Sequence, residues 1–304
     1  MGYNCVVLIK QVPDTKRVTG EAMNPDGTVN RAALPAIFNP EDLYAVELAL
    51  EIRDRFGGKV TVITMGPPAA CEALRQALYR GADEVVLITD RRAAASDTLA
   101  TSYILSCAVR KCGKVDVVLC GRQAIDGDTA QVGPQLAEKL ALPQITYVEQ
   151  LQDIKNGVAR VRRNVGNGYE VVEGKLPVLM TVLDTAGYPR PAAARRLMKY
   201  KKARAKLEID SAVAAEMPNA TAEGKAAEVA RRVEDLTKRG LLIHQWNLDD
   251  IKADLQWCGR DGSPTKVHRI QSVILTGKGH KGVEPTDEGV AELVSELIDD
   301  HTIG

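Results

Sequence analysis

Aromatic side chains are scarce in this sequence, with two Trp, two Phe and 4% aromatics in all among 304 residues. That shortage argues against a platform on which nucleic-acid bases stack. No charge of one sign prevails: 40 Lys and Arg balance 40 Asp and Glu. Nothing in the total attracts nucleic acid or an anionic membrane surface. The six cysteines (Cys5, Cys71, Cys107, Cys112, Cys120, Cys258) include no Cys-x-x-Cys pair. A zinc site is disfavoured, a disulfide framework more so, and several of these thiols sit in apolar runs as they do in reducing compartments. Long apolar runs are missing too. The opening "MGYNCVVLIKQVPD" is too short in its apolar part for a signal-peptide core or a membrane span. Val6 stands where a myristoylation motif needs Ser or Thr. The expectation is a cytoplasmic protein with no membrane span and no nucleic-acid partner.

Catalytic and nucleotide fingerprints are equally thin. There is no Walker lysine motif and no G-x-G-x-x-G after the first apolar run, which disfavours a phosphoryl-transferring NTPase and an ordinary Rossmann dehydrogenase. The four histidines (His244, His268, His280, His301) all fall in the last quarter and read as surface groups. No Ser/His/Asp or Cys/His set can be assembled, so no catalytic residue and no metal ligand is assigned.

What is there is strand and helix in alternation. "CVVLI" (5–9), "VTVIT" (60–64), "EVVLI" (84–88) and "VDVVLC" (115–120) are nearly continuous apolar runs, as expected of strands covered on both faces. Between them, 40–58, 69–83, 96–113 and 128–142 read as helices, with capping residues at 96–98 and 128–129 and Gly at several ends. The spacing predicts an α/β fold: a doubly wound, mostly parallel sheet of Rossmann-like, adenine-nucleotide-binding type. Residues 145–183 alternate polar and apolar around "NG" and "GNG" and predict an antiparallel hairpin extension at the sheet's edge. A basic stretch (187–209) and an Ala/Glu/Lys-rich helical stretch (211–240) follow. The tail places Val290, Leu293, Val294 and Leu297 at helical spacing, a C-terminal helical arm. Three units are expected: 1–210 as the nucleotide-binding domain, 211–258 as a variable helical connection, and 259–304 as an arm packing on a partner chain.

The polar segments cluster after the strands: "KQVPDT" (10–15), "MGPP" (65–68), "TDRRAAASDTLATS" (89–102) and "GRQAIDGDTAQVG" (121–133). In an open parallel sheet, ligands bind beyond the carboxyl ends of the strands. Backbone N–H groups at a helix start, helped by hydroxyls, suit phosphate. Thr129 and the amides through Gln131 are expected at such a start, and Asp97, Thr98 and Thr101 repeat the arrangement. Asp97 and Asp126 fit as ribose acceptors or as caps that order the loops. A site that offers a nucleotide grip but no acid or base points to chemistry carried by a cofactor.

"CGRQAIDGDTAQVGPQLAEKL" closely resembles the signature segment of the beta subunit of electron-transfer flavoproteins. The likeness extends through "KQVPDT", "FNPEDLYAVE", the region from "TMGPPAACEALRQAL" to "RGAD", "SDTLATS" and "GSPTKV" (262–267). It implies a heterodimer with an alpha subunit, electron shuttling by FAD, and a dehydrogenase or membrane oxidoreductase as redox partner. In the family the beta pocket holds AMP as structural glue or, in electron-bifurcating members, a second FAD that takes hydride from NADH. The loops here resemble the bifurcating kind. The likeness implies a cofactor site of Leu8, Lys10, Asn39, Pro40, Met65, Gly66, Asp97, Thr98, Thr101, Cys120, Gly121, Gln123, Ala124, Asp126, Gly127, Thr129, Ala130, Gln131, Val132 and Gly133. It also aligns the basic stretch with the family's recognition loop, where Ala194 stands at the place of an anchoring leucine and Leu197 lies nearby. An AMP-holding conventional shuttle and a stand-alone adenine-nucleotide sensor are the competing readings.

Overall fold

The structure, a computed structural model, describes residues 2–14, 34–266 and 282–299. Thr15, Val267, His268, His280 and His301 lie outside them. The four apolar runs are strands β1 (Tyr3–Ile9), then, after the small β2 (Gln11–Pro13) and β3 (Ala36–Phe38), β4 (Gly58–Met65), β5 (Glu84–Ile88) and β6 (Val117–Gly121). Helices α1 (Pro40–Phe56), α2 (Cys71–Arg80) and α3 (Thr98–Lys111) connect them, and α4 (Val132–Leu140) leaves β6. β1 pairs in parallel with β4 on one side and β6 on the other. Its side chains divide between two apolar layers. Cys5, Val7 and Ile9 pack with α1 and α2, while Val6 and Leu8 pack with α3 and α4. Burial on both faces explains why these strands read as unbroken apolar runs.

The second half of the chain widens the sheet. β7 (Gln144–Lys155), β8 (Val158–Asn164) and β9 (Tyr169–Lys175) form the antiparallel extension. β10 (Val178–Val182) departs from the hairpin expectation: it inserts between β6 and β7, parallel to both. All five of its residues are buried, so "VLMTV" has the signature of an interior strand rather than a ribbon. Helix α5 (Ala194–Tyr200), strand β11 (Arg204–Ala205), helices α6 (Lys206–Glu216) and α7 (Ala222–Lys238) and strand β12 (Leu242–Trp246) follow. β12 pairs in parallel with β5, and β11 with β12. The final order is β11-β12-β5-β4-β1-β6-β10-β7-β8-β9. The helical stretch thus ends in a strand of the main sheet, and α6 and α7 enclose a small core of Ile209, Val213 and Val229. Helix α8 (Asp287–Asp299) contains no buried residue. No described helix is long and apolar enough to cross a membrane.

Candidate functional site

From β1 the chain steps outward to β4 and β5, then returns to place β6 on β1's other flank. Connections diverge at that point, and the strand ends leave a crevice between them. A cavity of about 890 Å3 opens there, walled by the carboxyl ends of β1, β4, β5 and β6 and the loops that follow. It gathers Leu8, Lys10, Met65, Gly66, Asp97, Thr98, Thr101, Cys120, Gly121, Gln123, Ala124, Asp126, Gly127, Thr129, Ala130, Gln131, Val132 and Gly133. Asn39 and Pro40 lie outside its lining.

Asn39 braces the site from behind. It is fully buried, donates from Nδ2 to the Gln123 carbonyl (2.8 Å) and accepts from the Ile125 amide (3.2 Å). Pro40 occupies the first position of α1, where a missing N–H costs nothing. The two residues after it do more than the sequence reading allotted them. Asp42 accepts from the amides of Lys10 (2.7 Å) and Gly121 (3.0 Å), tying together the two central strand ends. Glu41 accepts from the Gln123 amide (3.0 Å) and pairs with Arg122 (2.7 Å). Burial pushes the Asp42 carboxyl up to about 7, against the pull of the Lys10 and Gly121 N–H groups and Asn39, with the Glu41 charge adding to the rise. In sequence, acidic residues in a first helical turn read as ordinary partners of the helix dipole; only the long-range bonds distinguish these two.

Close approach explains two glycines. A Cβ on Gly121 would stand 2.6 Å from the Asp42 carboxylate, and one on Gly133 would stand 2.8 Å from Thr181 Cγ2 and 3.0 Å from Cys120 Sγ. Between them the loop differs from expectation. α4 begins at Val132 rather than at Asp128, because Asp128 (φ 48°) and Ala130 (φ 52°) are left-handed. Gln131 returns to the right-handed region. Such alternation of hand turns successive amides toward one side, the geometry of an anion-binding nest.

Around this nest the polar side chains are interlinked. Thr98 Oγ1 donates to Gln131 Oε1 (2.9 Å), joining the starts of α3 and α4. Gln123 Nε2 donates to Asp128 (2.9 Å). The Lys10 ammonium contacts both oxygens of Asp126 at 2.7 Å, spanning from β1 to the loop after β6. Both oxygens of Asp97 are engaged by protein: one caps α3 through the Ala100 amide (2.9 Å), the other accepts from the Thr265 amide (3.0 Å) and hydroxyl (2.6 Å). Burial raises the Asp97 carboxyl, but these bonds outweigh it and hold the group below its ordinary value. Of the two roles expected for Asp97, the capping one is visible in these bonds.

Several lining residues escaped the sequence reading, among them Asp42, Arg91, Leu105 and Thr265. Arg91 carries no ion pair among the described residues and adds a positive charge to the cavity wall. Thr265 belongs to the "GSPTKV" segment, whose Ser263 accepts from the Asp97 amide (2.9 Å). No His among the described residues lines the cavity. Its thiol, Cys120, is pushed far up by burial, which makes it a packing group rather than a nucleophile. Among the described residues no cluster of three His, Cys, Asp or Glu could hold a metal. The lining offers, among the described residues, amides, hydroxyls and amide side chains rather than a nucleophile.

Ala194 and Leu197 are brought together elsewhere, on α5, where both are exposed. The helix is fixed to α2: Arg196 donates to the Leu78 (2.7 Å) and Ala82 (2.6 Å) carbonyls, and the Ala193 amide to the Tyr79 carbonyl (3.0 Å).

Fold and cavity together define a doubly wound α/β protein with its ligand crevice at the switch point of the sheet. The model of the electron transfer flavoprotein domain matches residues 26–231. Similar proteins include "Electron transfer flavoprotein subunit beta" of Clostridium acetobutylicum, 39% identical over 300 residues that cover 99% of this chain and 100% of that one. Its counterpart in Thermoanaerobacterium thermosaccharolyticum is 43% identical, with 99% and 100% covered. "Caffeyl-CoA reductase-Etf complex subunit CarD" of Acetobacterium woodii is 39% identical, with 98% and 99% covered. The chain belongs to the electron transfer flavoprotein family, and its work is electron transfer.

Proposed function

We propose that the chain is the beta subunit of a heterodimeric electron-transfer flavoprotein and that its 890 Å3 cavity binds FAD. The observation that carries this reading is the cavity's size and lining taken together. It lies near the top of the roughly 300–1,000 Å3 range of small-ligand sites, so that a mononucleotide would leave much of it to water. The nest at Ala130–Gln131 and the Thr98 and Thr129 hydroxyls suit a diphosphate, with Arg91 supplying positive charge. Leu8, Met65, Leu105 and Val132 suit a flat ring system. Bound FAD supplies the one- and two-electron chemistry; the protein holds it, and Asn39, Glu41 and Asp42 keep the gripping loops in place.

Electrons pass, in this reading, between NADH or a dehydrogenase and an acceptor such as a membrane oxidoreductase. α5, with Ala194 and Leu197, faces the dehydrogenase. Residues 259–304, whose helix α8 is exposed along Val290, Leu293, Val294 and Ile298, pack on the alpha subunit. All six cysteines are free thiols, in keeping with the cytoplasm. Denaturing release of nucleotides from the co-purified heterodimer tests the proposal. Two FAD per heterodimer are expected, and one FAD with one AMP would overturn it. NADH-dependent bleaching of the flavin absorbance separates a bifurcating protein from a conventional shuttle.

A further inference from the structure

A second, more open depression, of about 560 Å3, lies between α2 and the start of α6. Pro68 lines both this cavity and the first, so the Gly66–Pro68 loop is their common wall. Tyr79 borders it with only 9% of its surface exposed. The phenol hydroxyl makes no hydrogen bond among the described residues. The hydroxyl is not sealed from solvent, and Tyr79 lines this cavity. A hydroxyl at a cavity wall with no protein partner can donate to the acceptor of an occupant.

The charges around it are unequally satisfied. Arg75 is taken by Glu72 (2.9 Å) and Glu208 (3.0 Å), and Glu208 also accepts from the Ala205 amide (3.0 Å). Both carboxylates of the cavity are therefore engaged. Arg204 donates only to the carbonyls of Lys201 (3.1 Å) and Ala203 (3.0 Å), and Lys201 has no ion pair among the described residues. Three cations and two carboxylates line the space, which leaves one positive charge in surplus, and Lys201 and Arg204 are the two cations without an ion pair among the described residues.

We propose that this cavity binds the oxyanion of a small organic acid, a carboxylate or a phosphate ester, with the Tyr79 hydroxyl, Lys201 and Arg204 as its donors. Charge-assisted bonds from Lys201 and Arg204 supply most of the attraction. Pro68, Leu207 and the Tyr79 ring offer an apolar wall for the body of the molecule, and the volume falls within the range of small-ligand sites.

Calorimetric titration of the purified complex with inorganic phosphate and, in a separate arm, with pyruvate tests the site. A saturable one-site isotherm is expected in at least one arm, and the arm that binds identifies the oxyanion. Lys201→Gln with Arg204→Gln should weaken it about tenfold or more, and Tyr79→Phe should weaken it less. Lys201→Gln alone, at an exposed position, serves if the pair of changes fails to fold. Flat titrations in both arms, or full affinity in the Lys201 and Arg204 variants, overturn the proposal. So does binding lost on Arg91→Gln but kept on Lys201→Gln, which would place the anion in the first cavity.

Discussion

Asp42 joins the amides of Lys10 and Gly121 across the two central strands, and it does so as a buried carboxyl held at about 7 instead of the ordinary 3.8. A group that binds its proton more tightly when folded stabilises the fold fully below its unfolded value and loses that contribution as pH rises through its native one. Thermal midpoints should therefore decline between about pH 4 and pH 7 by an amount that belongs to this residue. Asp42→Asn, which cannot titrate, is expected to flatten that slope in melting curves measured across the interval; parallel slopes in variant and parent would contradict the assignment. Asp97 makes a different prediction. Its carboxylate caps α3 and fastens Thr265, so Asp97→Ala should cost about 1–2 kcal/mol in urea unfolding. It should also raise the rate of proteolysis within residues 258–266, because the segment loses its fastening. The cap at Asp97 is legible in a linear reading, but neither its reach to Thr265 nor the clamp at Asp42 is: an acidic residue at a helix start looks the same whether or not its second oxygen reaches a segment 168 residues away.

Among elements, α4 and β10 show how local signal and packing divide the work. Residues such as Asp-Thr cap helices and predict the start of α4 at 128–129. The left-handed Asp128 and Ala130 delay it to Val132, and the amides that precede it are free to form the nest. Gly133 then lets the helix sit against β6 and β10. Gly133→Ala, favourable for a helix by intrinsic propensity, should here be destabilising by about 1–3 kcal/mol because its methyl meets Thr181 and Cys120. Differential scanning calorimetry, together with nucleotide content after release, reads both the stability and the shift of α4. For β10 the residues from 178 to 182 are legible as a strand, but their neighbours are not. A run of apolar residues after two hairpin turns continues a ribbon as easily as it enters a sheet, and burial between β6 and β7 is a property of the assembled layers. β12 was hidden for a related reason: "LIHQW" carries His and Gln, and only pairing with β5 makes it a strand.

At the scale of the whole molecule, apolar side chains remain on α5 and α8 after the core is filled. Leu197 and Met198 stay exposed on a helix bolted to α2, and Val290, Leu293, Val294 and Ile298 stay exposed along α8. Surfaces of this kind mark association rather than folding. Leu293→Glu should leave the melting of the α/β body unchanged within about 0.5 kcal/mol while reducing recovery of the alpha subunit in co-purification. Leu197→Ala should likewise spare stability and slow electron exchange with the dehydrogenase in stopped-flow measurements. The sequence alone determined the parallel α/β alternation, the polar strand ends and the family likeness, because apolar runs, caps and turn residues act over a few neighbours and leave their mark in order along the chain. Tertiary structure alone decided that β10 and β12 join the sheet, that Glu41 and Asp42 clamp the gripping loops, and that Thr265 closes onto Asp97. Those outcomes depend on contacts between segments far apart in the chain, whose free energy exists only once the layers have packed.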